Sequence, residues 1–180
     1  MASNRKAVKA WFEAVQSNDM EKVRAYLDEG RNVEAALQDG RTALMCAACN
    51  ENAPLVELLL ARGARHGAVD NKGRDALDYL LAPDYAGLSR PPAAPDFQGT
   101  LERLMAAGAR PGRDTWLTVV LNQDTATVEA VLRGARGKGP DHRLLDAIRT
   151  FSRTHPHEVN VAPETLADTL AMLQRHLVGG

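Results

Sequence analysis

Cys46-Ala-Ala-Cys49 is the pair whose spacing most directly suggests chemistry, because two thiols three residues apart can grip a metal or cycle between dithiol and disulfide. A structural zinc site needs two further ligands at suitable spacing. The chain has no second C-x-x-C, and its histidines, at 66, 142, 155, 157 and 176, are distant in sequence. Cys46 and Cys49 therefore read as small, fairly apolar residues at or near the inner face of a helix. His155-Pro-His157 has the look of a ligand pair, but the intervening proline places it in a solvated loop between the last two helices. The run Arg133-Gly-Ala-Arg-Gly-Lys-Gly139 combines glycines and cations as a phosphate cradle would. Its order is not G-x-x-x-x-G-K-[ST] and it follows a helix, so it reads as a connection between structural units. No Ser-His-Asp set and no carboxylate pair stands in a recognisable catalytic frame. No catalytic, cofactor or metal site is assigned, and no enzyme activity is expected.

Composition narrows the classes further. The 22 basic and 23 acidic residues leave a net charge of -1, which gives no electrostatic footing for nucleic acid. Both signs are interspersed over residues 1–36. No apolar run approaches the roughly 18 residues of a membrane span, and the start, MASNRKAVKAWFEAV, lacks the apolar block of a signal peptide. Two cysteines do not make a secreted disulfide scaffold. A cytoplasmic chain is expected, and its 180 residues suffice to bury about 70% of the unfolded surface. Aromatic residues are only 4% of the total, which points to a core of Ala and Leu between closely stacked helices. Arg outnumbers Lys 17 to 5, the mark of a GC-rich, bacterial genome.

The elements that position these residues repeat. Gly30 and Gly63 lie 33 residues apart, as do Gly40 and Gly73. In the same frame Ala10, Ala43 and Ala76 align, as do Arg41 with Arg74, Leu44 with Leu77, Val23 with Val56, and Leu27 with Leu60. Ala14 falls on Ala47, and Trp11 on Leu44. Such a period marks stacked supersecondary units. Thr42, and Asp75 one period later, can cap a helix whose first amides lack partners. Leu44, Ala47 and Ala48 form its apolar stripe. Val56, Leu59 and Leu60 form that of a second, antiparallel helix, and Gly63 ends it in the left-handed conformation. Arg65 to Asn71 then turns back as a hairpin-like finger, with Gly73 permitting the turn.

Asp39-Gly-Arg-Thr-Ala-Leu-Met-Cys-Ala-Ala48 followed by Pro54-Leu-Val-Glu-Leu-Leu-Leu-Ala-Arg-Gly-Ala64 resembles the ankyrin repeat, and Asp70-Asn-Lys-Gly-Arg-Asp-Ala-Leu77 opens the next copy. The resemblance is specific over about residues 7–110. It implies an all-α ankyrin repeat solenoid of about five helix-turn-helix units with short fingers. A single domain over 1–180 would divide at about 5–37, 38–70, 71–110, 111–139 and 140–180, the last a divergent C-terminal cap. An insertion at 83–95 lies between the two helices of the third unit and delays its second helix to Leu101–Ala107. Helices are also expected over Thr115–Leu121, Thr127–Arg133 with Gly134 as the stop, His142–Ser152 and Pro163–Leu177, where Pro163 suits the first helical position.

The resemblance implies a protein partner, no cofactor and no catalysis. Fingers and first helices of such stacks make a continuous binding face. Gln38, Asp39 and Arg41 should project from one finger, and Asn71, Lys72 and Arg74 from the next. On the first helices Glu13, Gln16 and Ser17 fall in register with Cys46, Cys49 and Asn50, and Tyr79 falls on Cys46. Asn50 and Tyr79 are accordingly expected at the interface, Tyr79 as an anchor or, equally, as packing against its neighbour. Arg113 is the candidate of the fourth finger, whereas Trp116 takes the buried position beside it. The insertion is either neutral or recognises a partner, and in the second case Tyr85 and Phe97 would be its apolar anchors and Arg90 a charged one. The most concrete expectation is a monomer that neutralises a partner in the cytoplasm, as an immunity protein does its toxin. The alternatives are a secreted effector that captures a host protein, and a regulator working through Cys46 and Cys49 with metal or redox chemistry.

Overall fold

The computed structural model describes residues 2–81, 95–135 and 139–178, with side chains from residue 6 onward. The chain divides into two compact units, Met1–Ala109 and Arg110–Gly180. The insertion expected at 83–95, with Tyr85 and Arg90, falls outside the described residues except for Pro95.

The first unit is three helix pairs: α1 (Ala2–Gln16) with α2 (Met20–Asp28), α3 (Ala43–Cys49) with α4 (Ala53–Ala61), and α5 (Ala76–Leu81) with α6 (Phe97–Ala106). From α2 onward each start in this unit has a side chain that satisfies an orphan amide. Asp19 accepts from the Lys22 N–H at 3.1 Å, Thr42 from Met45 at 3.4 Å, Asn52 from Leu55 at 3.0 Å and Asp75 from Asp78 at 3.0 Å. The corners within the first two pairs turn on left-handed residues, Asn18 (φ 56°) and Glu51 (φ 52°), 33 residues apart. The Asn52 side chain donates to Asn18 Oδ1 at 2.8 Å and ties one corner to the next.

First helices stack on first helices, α1 on α3 on α5, and α4 packs on α6. Trp11, Leu44 and Leu77, one per period, are fully buried in that stack, as are Ala47 and Ala48. The alanines are what permits the close approach, since larger side chains there would force the helices apart. On the opposite side, Arg62 of the α4 end pairs with Asp28 of α2 at 2.8 Å and Arg103 of α6 with Glu57 of α4 at 2.9 Å. These pairs are solvated and each contributes at most about 1 kcal/mol.

Helix α6 begins at Phe97, four residues ahead of the expected Leu101. Asp96 caps it by accepting from the Gly99 N–H at 2.8 Å. Gly99, which weakens the helical pattern in the sequence, is there because a Cβ would collide with that capping carboxyl.

The second unit contains α7 (Arg113–Asn122), α8 (Thr125–Gly134), α9 (His142–Thr154), a single 3-10 turn at Pro156–Glu158, and α10 (Pro163–Val178). Here α7 packs on α9 and α8 on α10. Asp124 and Asp141 cap α8 and α9. Trp116, Val119, Val131, Leu145, Ile148 and Leu173 make its core. Trp116 thus takes the buried position the repeat predicts. Pro163 opens α10, where its missing N–H costs nothing. Gly134 does not stop α8: it closes the last turn, and Ala135 caps the end with φ -73°. Among the described residues the only β pairing is an isolated bridge between Ala36 and Thr42, and no helix is long and apolar enough to cross a membrane.

Candidate protein-binding surface

The first finger turns at Leu37–Arg41 and the second at Asp70–Arg74. In each, the amide of the first residue donates to the carbonyl of the last at 2.9 Å, and the glycine N–H donates back to the first carbonyl at 3.0 Å. Gly40 adopts φ 85°, and its α-carbon lies so close to the next finger that an added Cβ would sit 2.8 Å from Asn71 N. That close approach joins the fingers. The Asn71 N–H donates to the Asp39 carbonyl at 2.9 Å and the Asn71 side-chain amide to the Gln38 carbonyl at 3.0 Å.

Gln38, Asp39, Asn71 and Lys72 are exposed on the two tips. Asp39 accepts from Arg41 Nε at 2.6 Å, which folds the Arg41 side chain inward to 13% exposure. Arg41 therefore presents little of its guanidinium to solvent. Beside the first finger, a groove of about 620 Å³ opens toward α1. Val8, Phe12, Ala36 and Leu37 give it an apolar lining, and Lys9, Glu13, Gln16 and Gln38 its polar one. Glu13 is exposed and pairs with Lys9 at 3.6 Å, while Gln16 is half-buried. Leu37 and Ala36 were missed by sequence reasoning. Their signal was two apolar residues immediately ahead of a polar finger tip.

Behind the second tip lies a buried polar cluster. The Asp70 carboxylate, its side chain 1% exposed, accepts from the backbone amides of Lys72 and Arg74, at 2.8 and 2.9 Å, from Arg74 Nε at 2.8 Å, and from the Tyr79 hydroxyl at 2.8 Å. Arg74 also donates to the Tyr79 oxygen at 2.7 Å, and its guanidinium lies 4.7 Å over the Tyr79 ring. Burial works to raise the Asp70 pKa, but the hydrogen bonds from Arg74, Tyr79 and Lys72 outweigh it and hold the carboxyl well below its usual range. Burial, reinforced by Asp70, pushes the Tyr79 phenol well above its usual value.

Two expected interface residues are therefore corrected. Tyr79 is 2% exposed, its ring under the Arg74 guanidinium and its hydroxyl held by Asp70, and Cys46, with which it aligns, is buried as well. Its packing role is the one the structure shows. Asn50 is also 2% exposed; it is the C-cap of α3, enclosed where the helix meets its corner. Arg74 is half-buried and its guanidinium is committed to Asp70 and Tyr79, so it shapes the finger from behind. Arg113, in the second unit, is exposed at the start of α7. Tyr85 lies outside the described residues.

The chemical candidates also take definite places. Burial pushes the Cys46 thiol up to about 12 and raises that of Cys49 as well, which disfavours the thiolate that metal binding or redox attack requires. Among the described residues no three His, Cys, Asp or Glu side chains converge as a metal site would need. His155 stacks on Phe151 at 4.6 Å between centroids, and His157 stands 3.6 Å from Glu158. Both histidines are exposed.

The ankyrin repeats (3 copies) family model matches residues 11–84. Mitochondrial disaggregase of Homo sapiens is 47% identical over 62 residues, covering 34% of this chain and 8% of that protein. Zinc finger CCCH domain-containing protein 50 of Oryza sativa subsp. japonica is 46% identical over 70 residues, covering 37% of this chain and 9% of that protein. The chain thus spans less than a tenth of these relatives. A chain from the complex of a predatory endopeptidase of Bdellovibrio bacteriovorus with an immunity protein superposes with a TM-score of 0.43 at 18% identity, covering 91% of this chain and 97% of that one. With the paired helices, the interlocked fingers and the 33-residue frame, the family match identifies residues 11–84 as ankyrin repeats in an all-α fold.

Proposed function

We propose that the chain is a non-catalytic binding protein that holds another protein on its finger tips and in the groove beside α1, and inhibits it by covering it. The observation that carries this reading is the tie between the tips: Asn71 bonds to the backbone of both Gln38 and Asp39, so the exposed side chains of two fingers are held in one fixed register. A surface ordered before binding loses less conformational freedom when a partner arrives. Its charges are mixed, with Asp39 and Glu13 against Lys72 and Lys9, which suits a specific protein surface better than a polyanion. The partner favoured is a cognate toxin kept inactive in the cytoplasm, an immunity role that needs only steric exclusion and slow dissociation. Arg113 is the corresponding candidate contact of the second unit.

The test is capture of the partner from lysate of the source cell on the tagged chain, followed by an assay of the partner's own activity with and without an equimolar amount of the chain. Lys72→Glu, Gln38→Arg and Glu13→Lys alter exposed side chains whose replacement leaves the helix stack intact. Loss of capture and of inhibition with these variants supports the reading. Capture undiminished by all three would place the interface elsewhere, and capture without inhibition would leave binding but remove the immunity role.

A further inference from the structure

The second unit carries a trough of about 620 Å³ between α9, α10 and the segment that joins them. Val159, Val161, Leu166 and Leu170 supply its apolar lining. Ala167 and Ala171, exposed and one turn apart on α10, leave one wall low enough for a helix backbone to come close. The α10 part runs from Pro163 to Gln174, which at 1.5 Å per residue is roughly 17 Å, or three helical turns. The charged side chains of the lining are Arg149 and Arg153, four residues apart on α9, and no carboxylate joins them there among the described residues. Arg149 is partly neutralised by Asp146 at 3.2 Å and also bonds to Gln174. Arg153 makes no ion pair among the described residues.

We propose that this trough receives an amphipathic helix of a partner protein, its apolar stripe seated on Leu166, Leu170 and Val161 and its acidic edge facing Arg153 and Arg149. The three-turn length of its α10 wall matches a helix laid in a groove. The cationic wall fixes both the sign of the partner's flank and its orientation.

The probe is a fluorescein-labelled helical peptide of about 16 residues, about four turns, with leucines at helical spacing and glutamates along one edge. A second peptide replaces every glutamate with lysine. Anisotropy titrations against the full chain at low salt should show the glutamate peptide binding at least about tenfold more tightly than the lysine peptide, with the preference shrinking as salt rises. Arg153→Glu should reverse the preference, and Ala171→Trp, which fills the trough from an exposed position, should abolish binding of both. Unchanged far-UV circular dichroism would show that these variants fold. Binding of neither peptide, equal binding of both, or binding indifferent to Ala171→Trp would overturn the proposal. Displacement of the glutamate peptide by dodecanoate at the same site would overturn it in favour of a small amphiphile. Concentration-dependent dimerisation abolished by Ala171→Trp would overturn it in favour of a second copy of the chain.

Discussion

Tyr79→Phe separates a structural phenol from an interface one. The substitution keeps the ring, and with it the 4.7 Å contact to the Arg74 guanidinium, and removes only the hydroxyl that joins Asp70 and Arg74. A hydrogen bond to a charged, buried partner contributes about 1.5–3 kcal/mol. For a chain of this size that corresponds to a fall in Tm of about 3–12 °C. Asp70→Asn should do more, about 3–5 kcal/mol, because it leaves the half-buried Arg74 guanidinium without its counter-charge. The assay is urea unfolding followed by circular dichroism at 222 nm, with thermal melts in parallel. A pH series sharpens it. The Asp70 carboxyl titrates lower folded than unfolded, so its contribution is complete above the unfolded pKa of about 4 and is lost as pH falls toward the folded value. The stability gap between wild type and Asp70→Asn should therefore narrow from pH 7 to pH 3. If Tyr79→Phe melts with the wild type yet loses the captured partner, the hydroxyl serves recognition and the reasoning about the cluster fails.

Further outcomes follow from single positions. Gly40→Ala combines a positive φ with a Cβ 2.8 Å from Asn71 N, whereas Gly63→Ala has φ 88° and open space around it. Melting curves should show the second losing about 1–2 kcal/mol and the first distinctly more. Titration with a disulfide reagent at pH 7 should find Cys46 unreactive until denaturant is added, since burial holds its pKa at about 12; rapid modification of the native protein would contradict that burial. Asp28→Ala removes only a solvated partner of Arg62 and should shift stability by less than about 1 kcal/mol in the same urea assay.

Much of the first unit was legible because its determinants are local. Thr42 and Asp75 cap the helices they precede, Gly63 ends a helix at φ 88°, and the common buried fate of Trp11, Leu44 and Leu77 follows from a shared register. The site was legible only in outline. A 33-residue offset states that Tyr79 occupies the Cys46 position but not that this position is buried, which depends on how far the helices are rotated. Arg74 reads as a finger cation until the turn brings it within reach of Asp70. The start of α6 was hidden because Gly99 answers to the Asp96 carboxyl above it, a constraint helix propensity does not contain. The α9–α10 trough needs Val159 and Val161 beside Leu166 and Leu170, and no periodicity announces that meeting.

The ties that register the fingers run through the Gln38 and Asp39 carbonyls on the first one, and through one main-chain N–H and one side-chain amide of Asn71 on the second. Gln38 and Lys72 can accordingly change identity with the scaffold unmoved, whereas a change at Asn71 forfeits the side-chain tie to Gln38 and leaves the main-chain one alone. Such a division lets specificity drift without loss of foldability. In a randomised library, Gln38 and Lys72 are the positions to vary, with Asn71 and Gly40 held as the fixed frame.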